Sequence, residues 1–228
     1  MNSRKVLLLV ASPRGAASTS KSLGEHLLAV LEERGMALKT LQLYPALGDE
    51  RKMSELLGAV DLCDLLVLAF PLYVDQLPAP LIDLLRLVAE RRNGQARTGQ
   101  ALAAIVNCGF PETAHCRPAA DIVRLFSAQA GFRFLGCLAT GMGGAIGNRP
   151  LGKAGAIVRH QRRALDRAAA FLCESREIPA DVLALMGRAM MPRWFYNFVA
   201  DRGWKKAAKK YGTANRLFDR HYDGRQET

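Results

Sequence analysis

The sequence predicts an α/β fold: a doubly wound sheet of five parallel strands, ordered 2-1-3-4-5 and covered by helices, with a helical appendix at the C-terminus. Three observations carry that prediction. Short apolar runs such as Val6–Ala11 and Leu65–Phe70 alternate along the chain with stretches of helical periodicity, the pattern of parallel strands joined by crossover helices. Those runs are continuously apolar, as strands covered on both faces require. At 228 residues the chain suits one domain with a full core and an appended terminal element.

The first strand is read over Lys5–Ala11 and the first helix over Ser20–Arg34, with Leu23, Leu27, Leu28 and Leu31 on one face and Gly35 ending it. Ala37–Leu43 alternates as a shorter strand nearer the sheet edge, and Lys52–Leu62 forms the second helix. The third strand is Leu65–Phe70. A helix opens at Leu81 with the stripe Leu81, Leu84, Leu85 and Val88. After a polar loop over Arg91–Gly99 come the strand Ala101–Asn107, a helix over Pro118–Ala130 and the last strand, Phe132–Thr140. A glycine-rich loop, Gly141–Gly147, precedes a long helix over Lys153–Glu174. This arrangement makes residues 1–178 one domain, and 179–228 a basic, aromatic extension that is no independent domain. Within the extension, Ala180–Met190 is helical, Met191-Pro192 interrupts it, and the segments Arg193–Val199 and Trp204–Tyr211 follow.

Composition excludes several classes. Half the residues are apolar and 23% are charged, without low complexity. The longest apolar runs are too short to span a bilayer. No A-x-A-like cleavage site follows the short apolar run after Lys5, so a cytoplasmic address is the simplest reading. Five cysteines at wide spacing, with no C-x-x-C pair, read as free thiols in a reducing compartment rather than a zinc or redox site. The net charge is +11. Residues 1–150 hold 16 Lys and Arg against 13 Asp and Glu, and residues 151–228 hold 16 against 8. The excess therefore sits in the last third and favours an anionic partner there.

Three loops leave the carboxyl ends of strands one, three and four, the edge at which open α/β sheets bind ligands. The first, Ala11-Ser12-Pro13-Arg14-Gly15-Ala16-Ala17-Ser18-Thr19-Ser20, offers four hydroxyls, a glycine and a helix N-terminus to a terminal phosphate. Taken alone, Ser18 or Thr19 is equally a helix cap, and Arg14 either assists the phosphate or is solvated. The loop is not a triphosphate-binding G-x-x-x-x-G-K-[ST] motif. The second, Pro71–Pro80, presents Leu72, Tyr73 and Val74, a wall suited to a flat aromatic ring system such as a flavin. Its bland reading is a proline-stiffened connection with Tyr73 packed on its neighbours. In the third, Asn107-Cys108-Gly109-Phe110-Pro111-Glu112-Thr113, Gly109 permits close backbone approach and Phe110 can flank a ligand. Glu112 reads as a helix-start acid and His115 as a surface histidine.

With these residues in view, the chain resembles the flavodoxin-like superfamily of NAD(P)H-dependent FMN reductases and NAD(P)H:quinone oxidoreductases. Ser12-Pro13-Arg14 with Ser18-Thr19-Ser20 is similar to that family's phosphate loop, although Ala11 stands where the family usually has glycine. Pro71-Leu72-Tyr73-Val74 with Leu77-Pro78-Ala79-Pro80-Leu81 is similar to its flavin loop. The resemblance covers residues 5–175 and implies a flavodoxin-like fold. It also implies non-covalent FMN, NADPH or NADH as electron donor, a quinone, nitro, azo or flavin compound as small-molecule acceptor, and a homodimer. It assigns Ser12, Arg14, Ser18, Thr19 and Ser20 to the phosphate. Pro71, Leu72, Tyr73 and Val74 fall to the ring and ribityl chain, with Asn107, Gly109 and Phe110 beside the ring. The flavin carries the chemistry, so no catalytic side chain is expected, and no metal is.

A phosphatase of this architecture would need a C-x-x-x-x-x-R loop after the first strand, and a receiver domain an acidic pocket at the strand ends; both are missing. The serious rival is a non-enzymatic flavodoxin-like binding protein that works through its extension. There Lys205, Lys206, Lys209 and Lys210 lie opposite Trp204, Ala207, Ala208 and Tyr211. Such a helix suits peripheral contact with an anionic membrane surface, and nucleic acid less well; its plain reading is a solvated face on a helix packed against its own domain.

Overall fold

A computed structural model describes residues 3–93, 99–147 and 149–219. Part of the polar loop expected over 91–99 therefore lies outside the described residues, as does the end of the extension, 220–228. The chain separates into two compact units, Met1–Met190 and Met191–Thr228.

The first unit is built on strands β1 (Lys5–Val10), β2 (Ala37–Gln42), β3 (Leu65–Pro71), β4 (Ala101–Asn107) and β5 (Arg133–Thr140). They form one parallel sheet in the order β2-β1-β3-β4-β5. That is the expected flavodoxin-like topology. The reason is visible in the burial: every residue of β4 and all but the last of β3 are buried, so these strands can lie only inside a covered sheet. β2 is largely half-exposed, as befits an edge.

Helices cover both faces. On one side, Leu56 and Val60 of α2 (Glu50–Leu62), Leu81, Leu84, Leu85 and Val88 of α3 (Ala79–Arg92), and Val123 and Phe126 of α4 (Arg117–Gln129) pack on Leu7, Leu9, Leu66, Leu68, Leu102 and Ala104. On the other lie α1 (Thr19–Glu33) and α6 (Arg159–Cys173), which pack against each other. Gly24 lets α1 approach β1 closely, since a Cβ there would lie 2.7 Å from Leu8 Cδ1.

Three segments depart from the periodicity reading. The glycine-rich stretch after β5 contains a short helix, α5 (Gly143–Ile146). The long helix expected over Lys153–Glu174 begins only at Arg159. Leu151–Lys153 and Ala156–Val158 are single 3₁₀ turns, parted by Gly155 at φ 78°, because glycine weakens a helix and frees the backbone to leave it. α7 (Ala180–Met186) stops before Gly187, and it packs on α6 and β5. Buried Val182 and Met186 tie it into the first unit, which therefore extends past residue 178 to residue 190.

The second unit is dominated by α8 (Arg193–Lys210), a single helix that runs through Gly203 where the sequence showed two separate segments. No helix of the described residues is long and apolar enough to cross a membrane.

Candidate functional site: a polar floor and an aromatic rim at the sheet edge

β1, β3 and β4 are neighbours, and their register sets Val10 beside Ala69 and Pro71 beside Asn107. The loops that follow them leave one edge of the sheet together. Backbone bonds weld the exits: Ala11 N–H donates to Ala69 O (2.8 Å), Leu72 N–H to Asn107 O (2.9 Å) and Cys108 N–H to Thr140 O (3.0 Å).

The loop after β1 folds back through a 3₁₀ turn, Gly15–Ala17, before α1. Ser18 is the N-cap of α1: its Oγ accepts from Lys21 N–H at 3.2 Å and donates to Gly15 O at 2.8 Å. Thr19 Oγ1 donates to Gly143 O (3.0 Å) and Gly147 O (2.9 Å), and Ser20 Oγ donates to Asn107 Oδ1 (2.7 Å). Three of the hydroxyls read as phosphate donors are therefore engaged inside the protein. Of the first amides of α1, which a helix leaves without intrahelical partners, that of Lys21 is capped by Ser18, and Arg14 at the tip of the loop is exposed. Ser12, Ser18, Thr19, Ser20 and Asn107 are all buried and make a polar floor.

The rim is different in kind. Tyr73 is 44% exposed, Val74 96% and Phe110 54%. Tyr73 and Gln76 exchange both backbone hydrogen bonds at 3.0 Å, closing a two-residue turn. Its central residues, Val74 and Asp75, hold φ values of 49° and 57°. Pro71 and Leu72 are half-buried beneath the turn. Gly109 is exposed, with nothing within 4 Å of where its Cβ would be.

Three further contributors were not read from the sequence. The segment after β5 closes directly on the third loop: Met142 N–H donates to Phe110 O and Gly143 N–H to Cys108 O, each at 2.8 Å. A Cβ on Gly141 would sit 2.6 Å from the carbonyl oxygens of both Phe110 and Pro111. The Gly141-x-Gly143-Gly144 cluster is the signal that could have shown such a close backbone approach. Asp75 pairs with His115 at 3.3 Å, and the His115 ring stacks on Phe110 at 4.4 Å between centroids, so the second and third loops are joined side chain to side chain. Forty residues separate that pair, and no local pattern announces it. Finally, Tyr44 opens the 3₁₀ turn that follows β2, and burial, with a smaller contribution from Tyr73, raises its phenol above the usual value. Below the rim, a hydrogen bond from the buried Cys116 draws the Cys108 thiol beneath its usual range, while Cys116 itself is raised. Among the described residues, no group of three His, Cys, Asp or Glu side chains could hold a metal ion.

No curated protein sequence matches the chain. Solved structures do. An FMN-dependent NADH-azoreductase from Bacillus anthracis aligns with a TM-score of 0.57 at 14% identity, covering 75% of this chain and 100% of its own. The Trp repressor binding protein of Bacillus subtilis aligns at 0.53 and 15% identity, covering 72% and 96%. A Streptococcus pneumonia TIGR4 flavodoxin aligns at 0.52 and 16% identity, covering 75% and 99%. At these identities the likeness is one of fold. A family model described as flavodoxin-like fold matches residues 4–164, a span that includes all three loops. The chain belongs to the flavodoxin-like fold family.

Proposed function

We propose that the protein is an FMN-dependent NAD(P)H oxidoreductase acting on a small-molecule acceptor. The observation that carries this reading is the pairing of a buried polar floor with an exposed aromatic rim at one sheet edge. That pairing fits a ligand with an anionic end and a flat ring. The donor chemistry agrees: the α1 amides, Arg14 and Ser12 suit a phosphate, and Ser18, Thr19 and Ser20 hold that backbone in place. Tyr73, Leu72, Val74 and Phe110 would flank the ring, with Pro71, Asn107 and Gly109 along its edge. Bound there, FMN supplies two-electron chemistry, with NADH or NADPH as donor and a quinone, nitro, azo or flavin compound as acceptor. The protein's part is positioning. Amides at Gly109 and Phe110 can oppose negative charge, and the Asp75–His115 pair keeps the two ring loops in register. The homodimer and the cytoplasmic address are supported by the sequence resemblance and composition.

The test is the visible absorption spectrum of the purified protein, reconstituted with FMN where necessary, before and after anaerobic NADH or NADPH. A flavin spectrum that bleaches with one nucleotide is the expected result. A protein that stays colourless and refuses added FMN would overturn the proposal.

A further inference from the structure

We infer that α8 docks the protein on the anionic surface of a lipid bilayer, lying in the plane of the interface. The helix has 18 residues, about 27 Å in length, and its side chains are sorted along the axis on a single face. Steps of three and four residues link Trp194, Phe195, Phe198 and Val199 over its first two turns. These side chains are 72%, 42%, 51% and 50% exposed. The same face then continues as Arg202, Lys205, Lys206, Lys209 and Lys210, all exposed. At the junction, the Arg202 guanidinium sits 4.8 Å above the Phe198 ring. Asp201 is the one acidic residue in the helix.

A helix that served only solubility would not expose four large apolar side chains in one block. A helix packed by a protein core would not carry five cations on the continuation of that same face. A bilayer surface accommodates both: aromatic and branched side chains enter the headgroup and acyl boundary, and lysines reach anionic headgroups while their stems lie along apolar surface. Charge complementarity chooses anionic lipid, because α8 carries six Lys and Arg against one Asp. No helix of the described residues can cross the membrane, so the contact is peripheral. This inference stands whether or not the protein binds a flavin.

Both tryptophans of the chain, Trp194 and Trp204, lie in α8, so intrinsic tryptophan fluorescence reports on this helix alone. The experiment titrates the full chain with vesicles of phosphatidylcholine, with and without phosphatidylglycerol, and follows emission and co-sedimentation. Binding and a blue shift are expected with phosphatidylglycerol only, both lost at high salt. Lys205→Glu with Lys209→Glu is expected to weaken binding at least about 25-fold, from about fivefold for each lysine removed near an anionic surface. Phe198→Ser should abolish most of the blue shift while leaving salt-sensitive association. These side chains are exposed, and unchanged circular dichroism checks that the variants fold; should the charge reversal misfold, Lys205→Gln with Lys209→Gln reads the same loss at smaller size. Absence of binding to phosphatidylglycerol vesicles would overturn the inference. So would binding unaltered by the lysine substitutions, or a salt-sensitive association with a DNA duplex in its place.

Discussion

The loops after β1 and after β3 leave adjacent strands at the same sheet edge, yet they are held in opposite ways. In the first, Ser18, Thr19 and Ser20 are buried and their hydroxyls are bonded to Gly15, Gly143, Gly147 and Asn107. The second is exposed at its tip, and its shape rests on the Tyr73–Gln76 backbone pair and a backbone conformation its residues disfavour. On the flavin reading proposed above, the loops have different work. A fixed polar floor would hold the start of α1 steady for an anion. A strained, accessible turn presents side chains outward, as a ring would need. The contrast also explains why hydroxyls that look like ligand donors in sequence serve as struts: a loop can hold its amides in place only if something else holds the loop.

The sharpest way to break this contrast is to push the floor apart. Gly141→Ala places a methyl 2.6 Å from two backbone carbonyl oxygens, neither of which can swing away as a side-chain tip could. Overpacking of this kind costs about 1–3 kcal/mol, and here it strikes the backbone of Phe110 and Pro111 directly. The expected outcome is a lowered urea midpoint with unchanged slope, together with weakened FMN binding. A midpoint equal to that of the parent protein would show that the segment after β5 is not rigidly seated.

A smaller cut removes one strut. Ser20→Ala deletes the hydroxyl that donates to Asn107 Oδ1 and leaves that buried oxygen short of a partner. Losses of this type run to about 1–2 kcal/mol, read from the same urea titration. An Asn107→Ala change made in the Ser20→Ala background should then add less than it does alone, since the two residues share one bond. Strict additivity would mean that the bond does not couple α1 to β4.

The sheet was readable because its strands are long buried runs, and parallel connections admit few orders. Residues such as Leu65–Phe70 announce themselves by composition alone. The site was half readable. Tyr73 and Phe110 are aromatic residues in loops at strand ends, and they do line the edge as exposed groups. Ser20 and Asn107 were each identified, but not as partners, since a hydrogen bond across 87 residues has no local trace. The same is true of Asp75 with His115. The start of α6 failed where glycine decided it: Gly155 interrupts an otherwise periodic stretch, and periodicity is blind to a backbone that turns away.

The turn at Val74-Asp75 escaped for a related reason, and it supplies the smallest expected effect, of opposite sign. A two-residue turn with positive φ at both central positions normally carries Asn-Gly or Asp-Gly. Here the first position is valine, a branched residue for which φ 49° is a true outlier. Its side chain is 96% exposed, so no packing in the protein itself repays the strain. The left-handed conformation costs a non-glycine residue about 1–2 kcal/mol, and glycine's greater freedom in the unfolded chain returns about 0.5–1 kcal/mol of that. Val74→Gly should therefore stabilise the protein by about 0.5–1 kcal/mol in urea unfolding. Stored strain at an exposed position implies that the side chain is kept for something it touches only when a ligand is present. The same variant should accordingly bind FMN several-fold more weakly, measured by fluorescence quenching, even as it resists urea better. Stability and binding that rise together would remove Val74 from the ring wall and leave the strain without that explanation.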